Sequence, residues 1–282
     1  MKTTTTIQET RQQIKEWKKK GYSIGFVPTM GALHEGHMSL VQKSVQQNDK
    51  TIVSIFVNPT QFAPTEDLAS YPRNFEKDSE LCKQACVDLI FNPSADEMYS
   101  TDFVSFVDME KLTKELCGKS RPTHFRGVCT VVNKLFNIVP ADRAYFGQND
   151  AQQVAVIKKM VADLNMDIEI VNCPIIRESD GLAKSSRNAY LNPEERAAAK
   201  IISKAIFAGE QLVKNGERNC KKIISAMEKI IKTEALVRID YIEIVDNDSI
   251  EKVDIISGTV LVAIAVFVGK TRLIDNFVFS DF

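Results

Sequence analysis

The hydrophobic pattern changes period several times along the chain, and each change marks an element. Residues 9–20 form a polar, Lys-rich helical pattern. Residues 23–27 are a short apolar strand stopped by Pro28. A glycine-bearing loop over 29–36 leads into a helix over about 37–47. Residues 51–57 are a continuous run rich in β-branched side chains, which suits a strand buried on both faces. A helix near 74–87 precedes a short strand at 88–91. Over 127–139, Val128, Val131, Val132, Leu135, Phe136 and Val139 recur at helical spacing and predict a core helix. A strand at 144–146, a helix over about 149–164 and a strand at 168–171 continue the alternation. Strands alternating with helices imply βαβ units and a parallel sheet covered on both faces. Such sheets bind ligands at the C-terminal ends of their strands, so the loops after Val27, Val57 and Phe146 are the places to look.

The pattern changes after about residue 185. Asn192 and Pro193 form a helix start, and two helices follow near 193–214 and 218–233. Strand patterns then occupy 238–245, 259–268 and 271–279. The fold class is α/β, with a parallel-sheet domain followed by a smaller α+β C-terminal domain. The boundary falls near 176–190, which places the domains at 1–184 and 185–282.

Composition narrows the function classes. Of 282 residues, 44% are hydrophobic, enough for a sizeable core. Lys and Arg number 36 against 37 Asp and Glu, giving a net charge of −1. That removes the electrostatic footprint of a general nucleic-acid binder. No apolar run approaches the roughly 18 residues of a membrane span, and the longest, 260–268, is strand-sized. The first residues carry no apolar targeting segment, so a soluble cytoplasmic protein is expected. The six cysteines are scattered with no Cys-x-x-Cys, which argues for reduced, mostly buried thiols and against a metal cage or disulfide framework.

The chemistry concentrates in loops. Pro28-Thr29-Met30-Gly31 leads to His34-Glu35-Gly36-His37 at a helix start. A helix N-terminus suits phosphate, and two imidazoles three apart can donate to phosphate oxygens. A zincin pair needs a spacing of four. Asn58 and Gln61 end the buried strand as neutral hydrogen-bonding groups, although Asn-Pro alone reads as a turn. Gly147-Gln148-Asn149-Asp150 is a second strand-to-helix turn, read equally well as a ligand loop or an ordinary capped turn. Lys184-Ser185-Ser186-Arg187 offers cations and hydroxyls on a flexible loop, which can wrap a triphosphate or form a solvated basic loop. The third histidine, His124, lies between Arg121 and Arg126, as a local anion site or a structural helix entry.

Read together, these stretches resemble the pantothenate synthetase family. The resemblance is carried by the segments 28–37, 57–62, 71–73, 181–188 and 272–276, in order and at family spacing. It implies a Rossmann-like nucleotidyltransferase domain, a C-terminal domain that closes over the site, and a homodimer formed through the N-terminal domain. It implies ATP-dependent condensation of (R)-pantoate with β-alanine through a pantoyl adenylate, with Mg²⁺, releasing AMP and pyrophosphate. Met30, Gly31, Ala32, Leu33, His34, Glu35, Gly36 and His37 would form the first ATP loop, with His37 the proton donor to the leaving group. Gly147, Gln148, Asn149 and Asp150 would form the second. Ile176 would lie against adenine, Lys184, Ser185, Ser186 and Arg187 would close on the phosphates, and Gln61 and Gln153 would bind pantoate. The catalytic set is then His34, His37, Arg187 and the Asn149 position, with no protein metal ligand and no nucleic-acid or membrane partner.

Two positions depart from the family pattern. Asn149 stands where the family has a lysine, and losing one preorganised donor costs about 10²–10³ in rate. The alternative reading is therefore a catalytically impaired form that binds ATP and pantoate. Thr123 stands where the family usually has a glycine, and would be strained at positive φ. Another nucleotidyltransferase, such as a cytidylyltransferase-like enzyme, shares the phosphate loops but not the segments around Asn58 and Arg272.

Overall fold

The computed structural model describes residues 1–64 and 66–281. In chain order the elements are β1 (Lys2–Thr4), α1 (Ile7–Lys19), β2 (Ile24–Thr29), α2 (Glu35–Gln47), β3 (Lys50–Ile55), α3 (Phe75–Gln84), β4 (Leu89–Phe91) and α4 (Ala95–Met98). They continue with α5 (Leu116–Ser120), α6 (His124–Ile138), β5 (Arg143–Gly147), α7 (Ala151–Asp163), β6 (Glu169–Cys173), α8 (Pro193–Ala198), α9 (Lys200–Lys214) and α10 (Cys220–Ile231). The last three are β7 (Val237–Asp246), β8 (Thr259–Val268) and β9 (Thr271–Ser280). Among the described residues, no helix is long and apolar enough to cross a membrane.

The chain divides into two compact units. The first comprises Met1–Met109, Arg121–Gly147 and Val156–Cys173; the second comprises Glu110–Ser120, Gln148–Ala155 and Pro174–Phe282.

In the first unit six strands form one sheet in the order β1-β4-β3-β2-β5-β6. Every pairing is parallel. The expected core strand is buried from Thr51 through Phe56, and Ile24, Phe26, Val27, Leu89, Ile90 and Phe91 are also fully buried. This is the near-continuous apolar character of strands covered on both faces. Strand order reverses between β2 and β5, because β2 is followed by β3 on one side while β4 is followed by β5 on the other. Ligand crevices in such sheets open at that reversal, beyond the strand C-termini. Thr123 is the N-cap of α6, and its φ of −95° is right-handed, so the strain a positive φ would have caused is absent.

The second unit carries a three-stranded antiparallel sheet, β7-β8-β9. α9 and α10 pack on it through Ile202, Ile206, Ile223 and Met227 against Val260, Val262, Ile264 and Val266. The apolar pattern from 193 to 214 predicts one helix, but the chain forms two. α8 ends at Ala198 and α9 starts at Lys200, with Ala199 shared as cap. All six cysteines are free thiols; Cys82, Cys129, Cys173 and Cys220 are buried and Cys86 is exposed.

Candidate functional site

In the first unit, the loop between β2 and α2 is held by backbone hydrogen bonds. The Thr29 hydroxyl donates to the Ser54 carbonyl at 2.7 Å and accepts from the Gly31 N–H at 3.2 Å. Gly31 has φ +84°, and a Cβ there would lie 3.0 Å from Asp78 Oδ2. Only glycine turns the chain here without strain. Asp78, buried on α3, accepts the N–H groups of Ala32 at 2.8 Å and Leu33 at 2.7 Å. Burial pushes its carboxyl above the ordinary range, and the two N–H groups pull against that.

α2 opens on a capping box built from two imidazoles. His34 Nδ1 accepts the Gly36 N–H at 3.1 Å, and His37 Nδ1 accepts the His34 N–H at 3.4 Å. The ring centroids lie 4.1 Å apart. Since a backbone N–H can only donate, each Nδ1 is an acceptor and each neutral ring carries its proton on Nε2. Burial, with the neighbouring His34 charge, pulls the His37 pKa from 6.5 to about 3. His37 is therefore held as a neutral N–H donor, beside the His34 ring, at the positive end of a helix dipole.

Gln61 sits at the end of a 3-10 turn, Pro59–Gln61, in the loop that follows β3. Its carbonyl pairs with His124 Nδ1 at 3.0 Å and accepts from Arg121 at 3.3 Å. Arg121 in turn forks onto Glu66 at 2.6 Å through both Nε and Nη2. Burial pushes Glu66 up, but the Arg121 hydrogen bonds and charge outweigh it and hold the carboxyl below its ordinary value. This cluster is the structural helix entry of the two readings for His124, and it fixes the backbone of Gln61. The Gln61 side chain accepts from Asn58 Nδ2 at 3.0 Å and donates to Met30 Sδ at 3.2 Å. Met30, His34, His37 and Gln61 thus belong to one unit, and Met30 and Gln61 touch.

Gly147 also ends the first unit's β5, while the second unit holds Gln148, Asn149, Asp150, Gln153, Ile176 and Lys184 to Arg187. Gln148–Asp150 is a 3-10 turn that immediately follows β5 in the chain. Asn276 on β9 donates to the carbonyls of Gln148 at 2.9 Å and Asn149 at 3.0 Å. Its own oxygen accepts from Gln148 Nε2 at 3.0 Å. Asn149 Oδ1 is buried without a hydrogen-bond partner. On α7, Gln152 is buried and bonded to the Leu112 and Glu115 carbonyls, both at 2.8 Å, whereas Gln153 is half-buried.

The Ile176 carbonyl accepts the Lys184 N–H at 2.9 Å, and the Glu178 N–H reaches the Leu182 carbonyl at 2.8 Å. The turn is therefore an ordered hairpin, not an open basic loop. Lys184 Nζ lies 3.0 Å from Glu178, and Ser185 caps the 3-10 turn Ser186–Tyr190. Beneath it, Arg177 forks onto the buried Asp275 at 2.7 and 2.9 Å.

Sequence reasoning missed Asp78, which holds the first loop; Asp275 and Asn276, which hold the others, were read only as part of the 272–276 segment.

The chain matches the Pantoate-beta-alanine ligase family over residues 2–278. It is 60% identical to the pantothenate synthetase of Enterococcus faecalis over 98% of both chains. It is 58% identical to that of Ruminiclostridium cellulolyticum over 99% of both. Among solved structures, pantothenate synthetase from Thermus thermophilus superposes with a TM-score of 0.94 at 40% identity, covering 98% of this chain and 99% of that one. The ligase from Francisella tularensis, complexed with β,γ-ATP and β-alanine, gives 0.80 at 34% identity, covering 98% of this chain and 97% of that one. These relatives lend no support to an impaired form that binds without turnover. The chain belongs to the pantoate-beta-alanine ligase family, and joins pantoate to β-alanine.

Proposed function

We propose that the ligation uses ATP and proceeds through a pantoyl adenylate, releasing AMP and pyrophosphate. The observation that carries this is the His34–His37 capping box, which turns both Nδ1 atoms inward as acceptors and so leaves two Nε2–H donors on a helix N-terminus beside the strand-order reversal. That geometry suits phosphate oxygens. The Francisella relative complexed with β,γ-ATP and β-alanine supports the same substrates here.

In the first step a pantoate carboxylate oxygen attacks the α-phosphorus of ATP. The bond to the β,γ-diphosphate breaks, and pyrophosphate leaves with the electron pair. In the second step the free amine of β-alanine attacks the acyl carbon, AMP departs, and the amine proton passes to solvent. No covalent enzyme intermediate is required, so the chain's work is positioning and charge stabilisation.

In this reading 30–37 and 147–150 hold ATP, and His34 and His37 donate from Nε2 to its phosphates. A polyanion against His37 opposes the burial that lowers its pKa, which lets the ring carry a proton toward departing pyrophosphate. Ile176 flanks adenine, while Lys184, Ser185, Ser186 and Arg187 contact phosphates. Gln61 and Gln153 bind pantoate. We read Mg²⁺ as arriving with ATP, held by phosphates and water. The chain is read as a homodimer, as the family resemblance implies, and as cytoplasmic with domains at 1–184 and 185–282, as the sequence pattern suggests.

Pantoate-dependent exchange of labelled pyrophosphate into ATP, measured without β-alanine, tests the adenylate. Exchange is expected. A preparation that makes pantothenate but shows no exchange under any pyrophosphate concentration overturns it.

A further inference from the structure

Gln61 can present either end of its amide to a ligand, and the two ends have opposite hydrogen-bonding character. The surrounding network removes that freedom, beginning at a group whose character is fixed. The Gly127 carbonyl on α6 is an acceptor only, and Asn58 Nδ2 donates to it at 3.2 Å. This contact exists because residue 127 has no side chain; a Cβ there would lie 2.3 Å from the Thr60 carbonyl oxygen. The opposite end of the Asn58 amide is fixed as well. Its Oδ1 accepts from the Tyr99 hydroxyl at 2.7 Å, the Thr60 hydroxyl at 3.0 Å and, at the longer distance of 3.4 Å, the Thr60 backbone N–H. Burial pushes the Tyr99 phenol up, so it remains protonated. Asn58 itself is buried, with 1% exposed.

With Asn58 oriented, Gln61 has one choice. Asn58 Nδ2 donates to Gln61 Oε1 at 3.0 Å, so the oxygen faces inward. Gln61 Nε2 is left on the other side, where one partner is the weakly accepting sulfur of Met30 at 3.2 Å. The reversed amide would set two N–H groups against each other in a buried site, which is costly.

We propose that Tyr99 acts through Asn58 as a positioning residue, fixing the Gln61 amide so that it presents N–H donors and makes this subsite selective for an oxygen acceptor on the substrate. The proposal rests on the reading that Gln61 binds pantoate, whose carboxylate and hydroxyl oxygens are such acceptors. Tyr99 touches no substrate in this scheme. Its hydroxyl sets the direction of an amide two links away.

The test is steady-state kinetics with pantoate and ATP varied in turn, on the full chain. Tyr99→Phe keeps the ring, and with it the edge contact to Phe103 at 5.0 Å, and removes only the hydroxyl. It should raise the pantoate KM about fivefold, the scale of one lost hydrogen bond. Adding Thr60→Val removes the second hydroxyl, leaves Oδ1 only the longer Thr60 N–H, and should raise it further, to about tenfold. The ATP KM should stay within about twofold in both, since a defined acceptor subsite serves one substrate. An equal rise in both KM values would mean general loosening and overturn the relay. Gln61→Ala separates the two layers. If it leaves the pantoate KM unchanged, Gln61 is not a pantoate ligand and the proposal falls with that reading. If it raises the KM while Tyr99→Phe and the double variant do not, the ligand reading survives and the relay is wrong.

Discussion

Asp78 and Leu33 are 45 residues apart in sequence, yet the buried carboxylate accepts the Leu33 backbone N–H at 2.7 Å. Its other oxygen takes the Ala32 N–H at 2.8 Å. One side chain on α3 therefore ties down both residues that lead into the His34–His37 box. Asp78→Asn keeps the size but sets an NH₂ against a backbone N–H. It should cost about 1–3 kcal/mol of stability and lower kcat/KM for ATP by about tenfold or more. Denaturant melts and ATP kinetics check this; ATP kinetics equal to the parent would detach Asp78 from the loop's function.

The His37 imidazole gives a pH dependence with a definite sign. Its folded pKa is lowered from 6.5 to about 3, so as pH falls below 6.5 the unfolded chain takes up a proton first. This contribution to stability is complete above about 6.5 and is lost progressively toward about 3. His37→Gln removes the titrating group. Urea melts at about pH 7.5 and about pH 5 should show a smaller acid loss in the variant than in the parent. An identical loss would mean the ring is not held neutral.

Asn276 clamps the turn that carries Asn149. Its amide meets the Gln148 carbonyl, the Asn149 carbonyl and the Gln148 side chain. Asn276→Ala leaves these groups without their partner, at a cost of about 1–3 kcal/mol. If the turn serves catalysis, kcat should fall about tenfold or more, because small displacements of positioning groups carry that scale of penalty. An unchanged kcat beside a lowered melting point would assign Asn276 to stability alone.

The Arg177–Asp275 pair is asymmetric: the Arg177 side chain is 22% exposed and that of Asp275 is 0% exposed. Burial pushes the Asp275 carboxyl up, and the Arg177 hydrogen bonds and charge oppose this. Arg177→Met strands a buried acid and should destabilise by about 3–5 kcal/mol. The double variant Arg177→Met/Asp275→Leu should recover most of that loss, because the stranded charge is gone. A double variant no more stable than the single would contradict a desolvation origin.

The alternating strands and helices were legible because the core strands are long apolar runs and the helices keep their period. Three features were not. β1 is three residues, Lys2–Thr4, too short to show any periodicity. The break between α8 and α9 at Ala199 lies inside an unbroken apolar pattern. The grouping of Glu110–Ser120 with Gln148–Ala155 arises from long-range bonds such as Gln152 to the Leu112 and Glu115 carbonyls, which no local pattern encodes. The candidate loops stood out through their glycines, histidines and basic residues. Asp78 and Tyr99 did not, because their partners are backbone atoms and an amide far away in sequence. Arg121 and His124 read equally well as an anion site or a helix entry, and the structure shows them bracing the Gln61 backbone.

The most direct measurement follows the pantoate carboxylate oxygen. Pantoate labelled with ¹⁸O in its carboxylate is converted with ATP and β-alanine, and the products are examined by mass spectrometry. Attack on the α-phosphorus places one ¹⁸O in AMP for each pantothenate formed. Label in inorganic phosphate, with ADP as the nucleotide product, would contradict the adenylate route.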